Sequence, residues 1–278
     1  MDLTPSILTI TWNRAEYIRK TAEHLQADPS DFRWYIWDNA SDEETRTFIS
    51  ELKDDRIVKR VMHHENAKQA PPWHWFLENC EGDICGKLDD DIRGPSGWPE
   101  RFASIVASDP MIGLIGGWVY LPEEWDETLA AHKIRTVGQQ RIFQNGWVGG
   151  CIFLGRRALL QRFSPRNEGR WGTPIDHMGI TKAGYVSGYP LPIPFAENLD
   201  DPRSPHCRMN RPGGWNEFAA YSARMRAFTG PEEYGDWIAQ DARLVLTQTI
   251  AQQLRRSYPS VFEQFRRRAA RGLKRIFA

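Results

Sequence analysis

The regular alternation of strand-like and helix-like segments through the first 110 residues constrains this chain more than any other feature. Residues 7–11 read as a strand, and 14–25 as a helix with Tyr17, Ile18, Ala22 and Leu25 at helical spacing and Asn13 as its predicted N-cap. Strand signals recur at 34–37, 57–62, 83–88 and 112–117. Between them, helices are predicted over 42–52, 72–78 and 99–108, the first with Ser41 and Glu44 in a capping-box pattern. This rhythm predicts an α/β fold built on a doubly wound, mostly parallel sheet with right-handed crossovers. In such a sheet ligands bind beyond the carboxyl ends of the strands. Those ends fall at 11–14, 38–42, 63–68 and 89–93, and all four are polar and charged.

The most distinctive of these ends is Gly86-Lys87-Leu88-Asp89-Asp90-Asp91-Ile92. Adjacent carboxylates repel one another, and a divalent cation relieves that cost. Mg2+ and Mn2+ are hard ions that prefer oxygen ligands and bind through one or two carboxylates plus substrate phosphates. On a strand, residues i and i+2 face the same side, so Asp89 and Asp91 reach the same ligand and Asp90 is directed away from it. Two further strand ends carry chemistry. Asp38, followed by Asn39-Ala40-Ser41-Asp42, is placed to accept from a ribose or a nucleobase, or to form an Asx turn. Arg14, in Thr11-Trp12-Asn13-Arg14, is placed to pair with phosphate or with the nearby acids. Asn66 and Lys68, after the third strand, are further donor-side candidates.

These three motifs, in this order and spacing, resemble the family 2 glycosyltransferases of the GT-A fold. The family pattern is a first strand ending Thr-x-Asn-Arg, a second ending like Asp38-Asn39-Ala40-Ser41-Asp42, and an Asp-x-Asp signature, here Asp89-Asp90-Asp91 with Pro99 opening the next helix. The resemblance covers the first 110 residues well and 145–190 more loosely. It implies a nucleoside-diphosphate sugar donor, UDP-linked by family habit, and an inverting transfer to an acceptor hydroxyl, with roles in cell-surface polysaccharide or glycoconjugate synthesis. It places Thr11, Arg14, Asp38 and Asp89 around the donor, with Asn13, Asn66, Lys68 and Asp90 as further donor candidates. Asp91 and Asp89 would hold Mn2+ or Mg2+, with His206 as a further metal candidate. A nucleotidyltransferase shares the sheet and the carboxylates, but it calls for a Gly-rich phosphate loop after the first strand, and residues 11–14 contain no glycine. A non-catalytic sugar-nucleotide-binding relative is the other alternative.

An inverting transfer needs a base, because a protonated sugar hydroxyl is a poor nucleophile. The family places it just before a helix ending in a Gly-Tyr turn. Here that stretch is Pro174-Ile175-Asp176-His177-Met178, ahead of Gly184-Tyr185. The usual Glu-Asp pair is absent, so Asp176 is the candidate and Glu168 the reserve, with a helix N-cap as the alternative role for Asp176. Trp147, Gly149, Gly150, Trp171 and His177 are the acceptor candidates, the first four on fold-level analogy. A strand is predicted over 147–154 and a helix over 176–183. Residues 190–214, with six prolines, read as an ordered loop that could close over the donor.

On this reading, residues 1–110 form the nucleotide-sugar half of one GT-A domain, 111–214 its acceptor half, and 215–278 a helical extension with helices over 216–228, 231–256 and 258–277. The 36 basic and 36 acidic residues balance, so nothing global points to nucleic acid. Residues 255–278 nevertheless hold eight Lys or Arg against one Glu, and Phe262, Phe265, Ala269, Leu273 and Ile276 share one helical face. A basic amphipathic helix suits an anionic membrane and a lipid-linked acceptor. Packing on the body or on another copy in a homo-oligomer is the alternative. With no signal-peptide pattern at the start, the expected location is cytoplasmic, at the inner membrane face if the tail binds lipid. The four cysteines show no metal-ligand spacing and are expected to be reduced.

Overall fold

The computed structural model describes residues 2–166, 172–219 and 221–259. Along the chain run β1 (Ser6–Thr11), α1 (Ala15–Ala27), β2 (Arg33–Asp38), α2 (Glu43–Glu51), β3 (Ile57–Met62), α3 (Ala70–Asn79), β4 (Ile84–Leu88), β5 (Ile92–Arg93), α4 (Trp98–Ser108) and β6 (Ile112–Gly116). They are followed by α5 (Glu127–Ala130), β7 (Ile134–Val137), β8 (Gln140–Gln144), β9 (Ile152–Arg156), α6 (Arg157–Arg162), α7 (His177–Lys182), β10 (Val186–Pro190) and β11 (Glu197–Asn198). Four helices complete the described chain: α8 (Gly214–Phe218), α9 (Tyr221–Met225), α10 (Pro231–Thr247) and α11 (Ile250–Ser257).

Nine strands form one sheet in the order β3-β2-β1-β4-β9-β6-β10-β8-β7. The predicted α/β class and mostly parallel sheet are present: β3, β2, β1 and β4 run parallel, and β6 pairs parallel with β10. β9 lies antiparallel between β4 and β6, and the β7–β8 hairpin extends the far edge antiparallel. The β–α alternation gave no hint of the β7–β8 hairpin, nor that the strand predicted over 147–154 would insert antiparallel as β9. β9 follows a loop rather than a crossover helix, and Gln140–Gln144 has no strong apolar alternation to announce a strand.

Local chemistry accounts for most boundaries and for three corrections. Asp42, not Ser41, caps α2 by accepting from the Thr45 amide, because the Ser41 hydroxyl is engaged by the Asn13 amide. Arg14 occupies the N-cap position of α1, while Asn13 takes a positive φ and its side-chain oxygen accepts from the Asp42 amide. The strand predicted over 147–154 starts only at Ile152, since Trp147 through Cys151 form a loop that joins β8 to β9.

Apolar clusters cover both faces of the sheet. One is centred on Trp34, Ile36, Leu88, Phe102 and Ile115, the other on Leu8, Tyr35, Trp73, Phe76 and Phe153. A third, with Trp118, Phe143, Tyr189, Ala242 and Leu246, fastens α10 to the sheet. No helix among the described residues is long and apolar enough to cross a membrane. The basic tail face from Phe262 to Ile276 lies outside the described residues.

Candidate active site

The carboxyl ends of β1 and β4 meet at one cationic side chain. Arg14 Nη1 donates to Asp90 Oδ1 at 3.1 Å and to Asp91 Oδ2 at 2.7 Å, and its Nη2 donates to Asp200. The Thr11 hydroxyl donates to Asp90, and the Tyr17 hydroxyl to Asp200 at 3.0 Å. Lys87, buried in β4, directs its ammonium to Asp89, to Gln69 at 2.8 Å and to Thr173 at 3.2 Å. The loop after β11 supplies Asp200, and the Leu199 amide donates to the Asp91 carbonyl. β11 itself pairs with β5, directly after the triad.

The acid run departs from the strand expectation. β4 ends at Leu88, so Asp89, Asp90 and Asp91 lie in a turn where alternation of faces no longer holds. Asp90, expected to face away, is buried and is clasped by Thr11 and Arg14 together with Asp91, while Asp89 turns toward Lys87. Asp90 is thus central to the cluster, and the expectation that it is directed away is corrected.

The electrostatics of the cluster are unbalanced. Among the described residues, Asp89, Asp90, Asp91 and Asp200 face the two cations Lys87 and Arg14, which leaves two negative charges over. Burial, reinforced by its acidic neighbours, pushes the Asp90 carboxyl up to about 6 despite Arg14. Burial also raises Asp89 and Asp200, against the pull of Lys87 and Arg14 respectively. Arg14 is held charged, since the three carboxylates outweigh the effect of burial.

The flanking strand ends are organised differently from expectation. Asp38 is fully enclosed: its oxygens accept from the Ser41 amide and from Arg46 at 3.1 Å. Arg46, which the sequence motifs did not single out, also donates to the His63 carbonyl and remains partly exposed. Asn66 accepts from the Lys68 amide, and the Lys68 carbonyl accepts from Asn39, so these residues shape the β3–α3 loop. His206 faces Lys20 at 3.4 Å and Glu197 at 3.8 Å rather than the triad. Among the described residues no three His, Cys, Asp or Glu side chains converge to cage a metal by themselves.

On the acceptor side, Asp176 is the N-cap of α7, accepting from the Gly179 amide at 2.8 Å and from the Tyr258 hydroxyl at 3.2 Å. The cap alternative is therefore realised, although the carboxylate stays partly accessible. Trp147 is 55% exposed and stacks on His177 with ring centroids 5.5 Å apart. His177 is itself buried between Trp147 and Phe153. Burial pulls its imidazole down to about 4, so it is a neutral support for Trp147 rather than a surface group. Gly149 and Gly150 sit in the loop whose Cys151 carbonyl accepts from the Asp89 amide at 2.7 Å, which brings that loop against the acid run. Glu168 and Trp171 lie outside the described residues.

Residues 6–169, more than half of the chain, match the family model described as glycosyl transferase family 2. This chain belongs to the family 2 glycosyltransferases. Among solved structures, the mannosyltransferase PcManGT from Pyrobaculum calidifontis, in complex with GDP-Man and Mn2+, is similar over 97% of this chain and 79% of its own, at 17% identity and a TM-score of 0.56. S. aureus TarS 1–349, in complex with UDP-GlcNAc, is similar over 66% of this chain at 13% identity and a TM-score of 0.51. The chain spans 55% of that TarS fragment. No curated protein sequence matches significantly. The family identifies this glycosyltransferase as an enzyme of the GT-A fold.

Tyr17, Arg46, Lys87 and Asp200 were not singled out from the sequence. Lys87 left one trace, a lone cation in an otherwise apolar strand. Asp200 was visible only as part of a proline-rich loop 109 positions beyond Asp91.

Proposed function

We propose that this glycosyltransferase moves a sugar from a nucleoside-diphosphate sugar, with UDP the first nucleotide to test, to an acceptor hydroxyl with inversion and with help from Mn2+ or Mg2+. The observation that carries the reading is the uncompensated charge at the junction of β1 and β4, where four carboxylates face Lys87 and Arg14. An all-oxygen set with two negative charges in excess suits a hard divalent cation completed by substrate phosphates, a mode that needs no three-ligand protein cage. Asp91, with Asp89, would hold the ion, which when bound neutralises charge building on the diphosphate leaving group.

The protein's own residues do the rest. Thr11 and Arg14 keep Asp90 and Asp91 oriented, and Asn13 ties the β1 end to the start of α2. Arg46, seated on Asp38, is the polar group offered to a nucleobase, so Asp38 acts from behind it. Asp176 removes the proton from the attacking hydroxyl, and the exposed indole of Trp147, beside it in the structure through His177, offers a stacking face to an acceptor sugar. A lipid-linked acceptor in a surface polysaccharide or glycoconjugate pathway would also give the basic tail a role.

A thermal-shift screen of nucleoside diphosphates with Mn2+, followed by donor cleavage and analysis of the anomeric product, tests the reading. A nucleotide at about 100 times its Kd stabilises by about 2.7 kcal/mol. The shift should require metal and be lost in Asp91→Ala. Asp176→Asn should keep the shift and lower turnover by about 10²–10⁴-fold. Metal-independent binding of normal strength in Asp91→Ala, or undiminished turnover in Asp176→Asn, overturns it.

A further inference from the structure

Helix α11, the last among the described residues, touches the acceptor side at two separate points, and both contacts are polar and specific. At the first, Gln253 is buried. Its Nε2 donates to Asn145 Oδ1 at 2.6 Å and its Oε1 accepts from the Gly146 amide at 2.9 Å. The same Asn145 oxygen accepts from the buried Lys133 ammonium at 3.0 Å, and that ammonium also reaches the Val245 carbonyl at the end of α10. Asn145 Nδ2 in turn donates to the Trp147 carbonyl. At the second point, the Tyr258 hydroxyl, just past the end of α11, lies 3.2 Å from each oxygen of Asp176. The register between the points is set by the capping box of Thr249 and Gln252 at the start of the helix.

The loop held by the first contact is anchored in its middle by the buried Val148 but is open around its two glycines. A Cβ built on Gly150 meets nothing within 4 Å, and one on Gly149 meets only Val119 at 3.8 Å. Packing therefore leaves only the Gly149–Gly150 end open, while at the Asn145–Gly146 end the buried polar groups are paired by Gln253 and are costly to leave unpaired. The loop bears Trp147 on one side and reaches the Asp89 amide through Cys151 on the other.

We propose that α11 is a strut that positions the acceptor half of the site, with Gln253 setting the Trp147 loop and Tyr258 orienting Asp176 as positioning residues. The inference rests on the glycosyl-transfer reading for its catalytic consequence, but its structural part does not. Among the described residues, neither Gln253 nor Tyr258 bonds to β1, β2, β4 or the acid run, and the loop's link to them is the Cys151 carbonyl at the Asp89 amide, so the strut should act on turnover far more than on nucleotide binding.

The test uses the full chain. Amide exchange is followed by mass spectrometry, Mn2+-dependent UDP and GDP affinity by calorimetry, and nucleotide release from UDP- and GDP-sugars with water as acceptor. Gln253→Leu should speed exchange in 145–151 at least tenfold relative to 6–11 and 84–88. It should lower donor cleavage tenfold or more and leave nucleotide Kd within twofold. Tyr258→Phe keeps the ring over Lys182 and should leave loop exchange unchanged, while donor cleavage falls severalfold at unchanged Kd. Wild-type exchange in Gln253→Leu, or a loss of nucleotide affinity as large as the loss of cleavage, overturns the strut. Wild-type protein that neither binds nor cleaves any of these nucleotides overturns the functional reading instead, and the exchange result then judges the strut alone.

Discussion

Removing Arg14 tests the electrostatic picture most directly. Its guanidinium is shared by Asp90, Asp91 and Asp200, and among the described residues no other cation pairs with those three carboxylates. Breaking a buried pair by deleting one partner costs about 3–5 kcal/mol, because the remaining charge is left uncompensated. The Arg14 side chain is 23% exposed, so water screens part of the effect, and about 2–3 kcal/mol is the expected loss for Arg14→Met in EDTA. With a urea slope of about 3 kcal/mol/M for a chain this size, the midpoint falls by about 0.7–1 M, readable by tryptophan fluorescence. Two recoveries should follow. Millimolar Mn2+ should restore more stability to the variant than to the wild type, since the ion supplies the missing positive charge. Lower pH should do the same. Burial raises the wild-type Asp90 carboxyl to about 6 against the pull of Arg14, so deleting Arg14 raises it further, and the variant gains more stability than the wild type as pH falls. The variant's deficit should therefore shrink between pH 7.5 and pH 5. An unchanged midpoint, or a deficit indifferent to both Mn2+ and pH, refutes the reasoning.

Two further outcomes follow from buried groups. Gly86→Ala would set a Cβ 1.9 Å from the Phe153 carbonyl across the β4–β9 seam, so it should destabilise by about 3 kcal/mol or more in denaturant titration. Burial pulls Lys133 down to about 7, so the folded state loses its proton well before the unfolded chain does, and stability attributable to this lysine rises as pH climbs above 7. Lys133→Met should therefore compare best with the wild type near pH 7. It should lose about 2 kcal/mol of that relative standing by pH 9, and a pH-independent difference would contradict the assignment.

The sequence alone determined the alternating half of this protein. From Ser6 to Gly116, apolar runs of strand length separated by amphipathic helices leave one economical arrangement, a mostly parallel sheet with its polar strand ends on one edge. The acid run, Arg14 and Asp38 were legible because their positions at strand ends are local facts. What local pattern could not say was how a turn would aim three adjacent carboxylates. Once β4 ends at Leu88, backbone alternation no longer governs, and long-range partners decide: Thr11 and Arg14 draw Asp90 inward, and Lys87 draws Asp89 aside. The antiparallel insertion of β9, the return of Asp200 to α1 and the contacts of Gln253 and Tyr258 with the acceptor side are all pairings between distant segments. Each polar group involved could have been satisfied by water or by a neighbour in the unfolded chain, and only burial in the folded chain selects the partner it has.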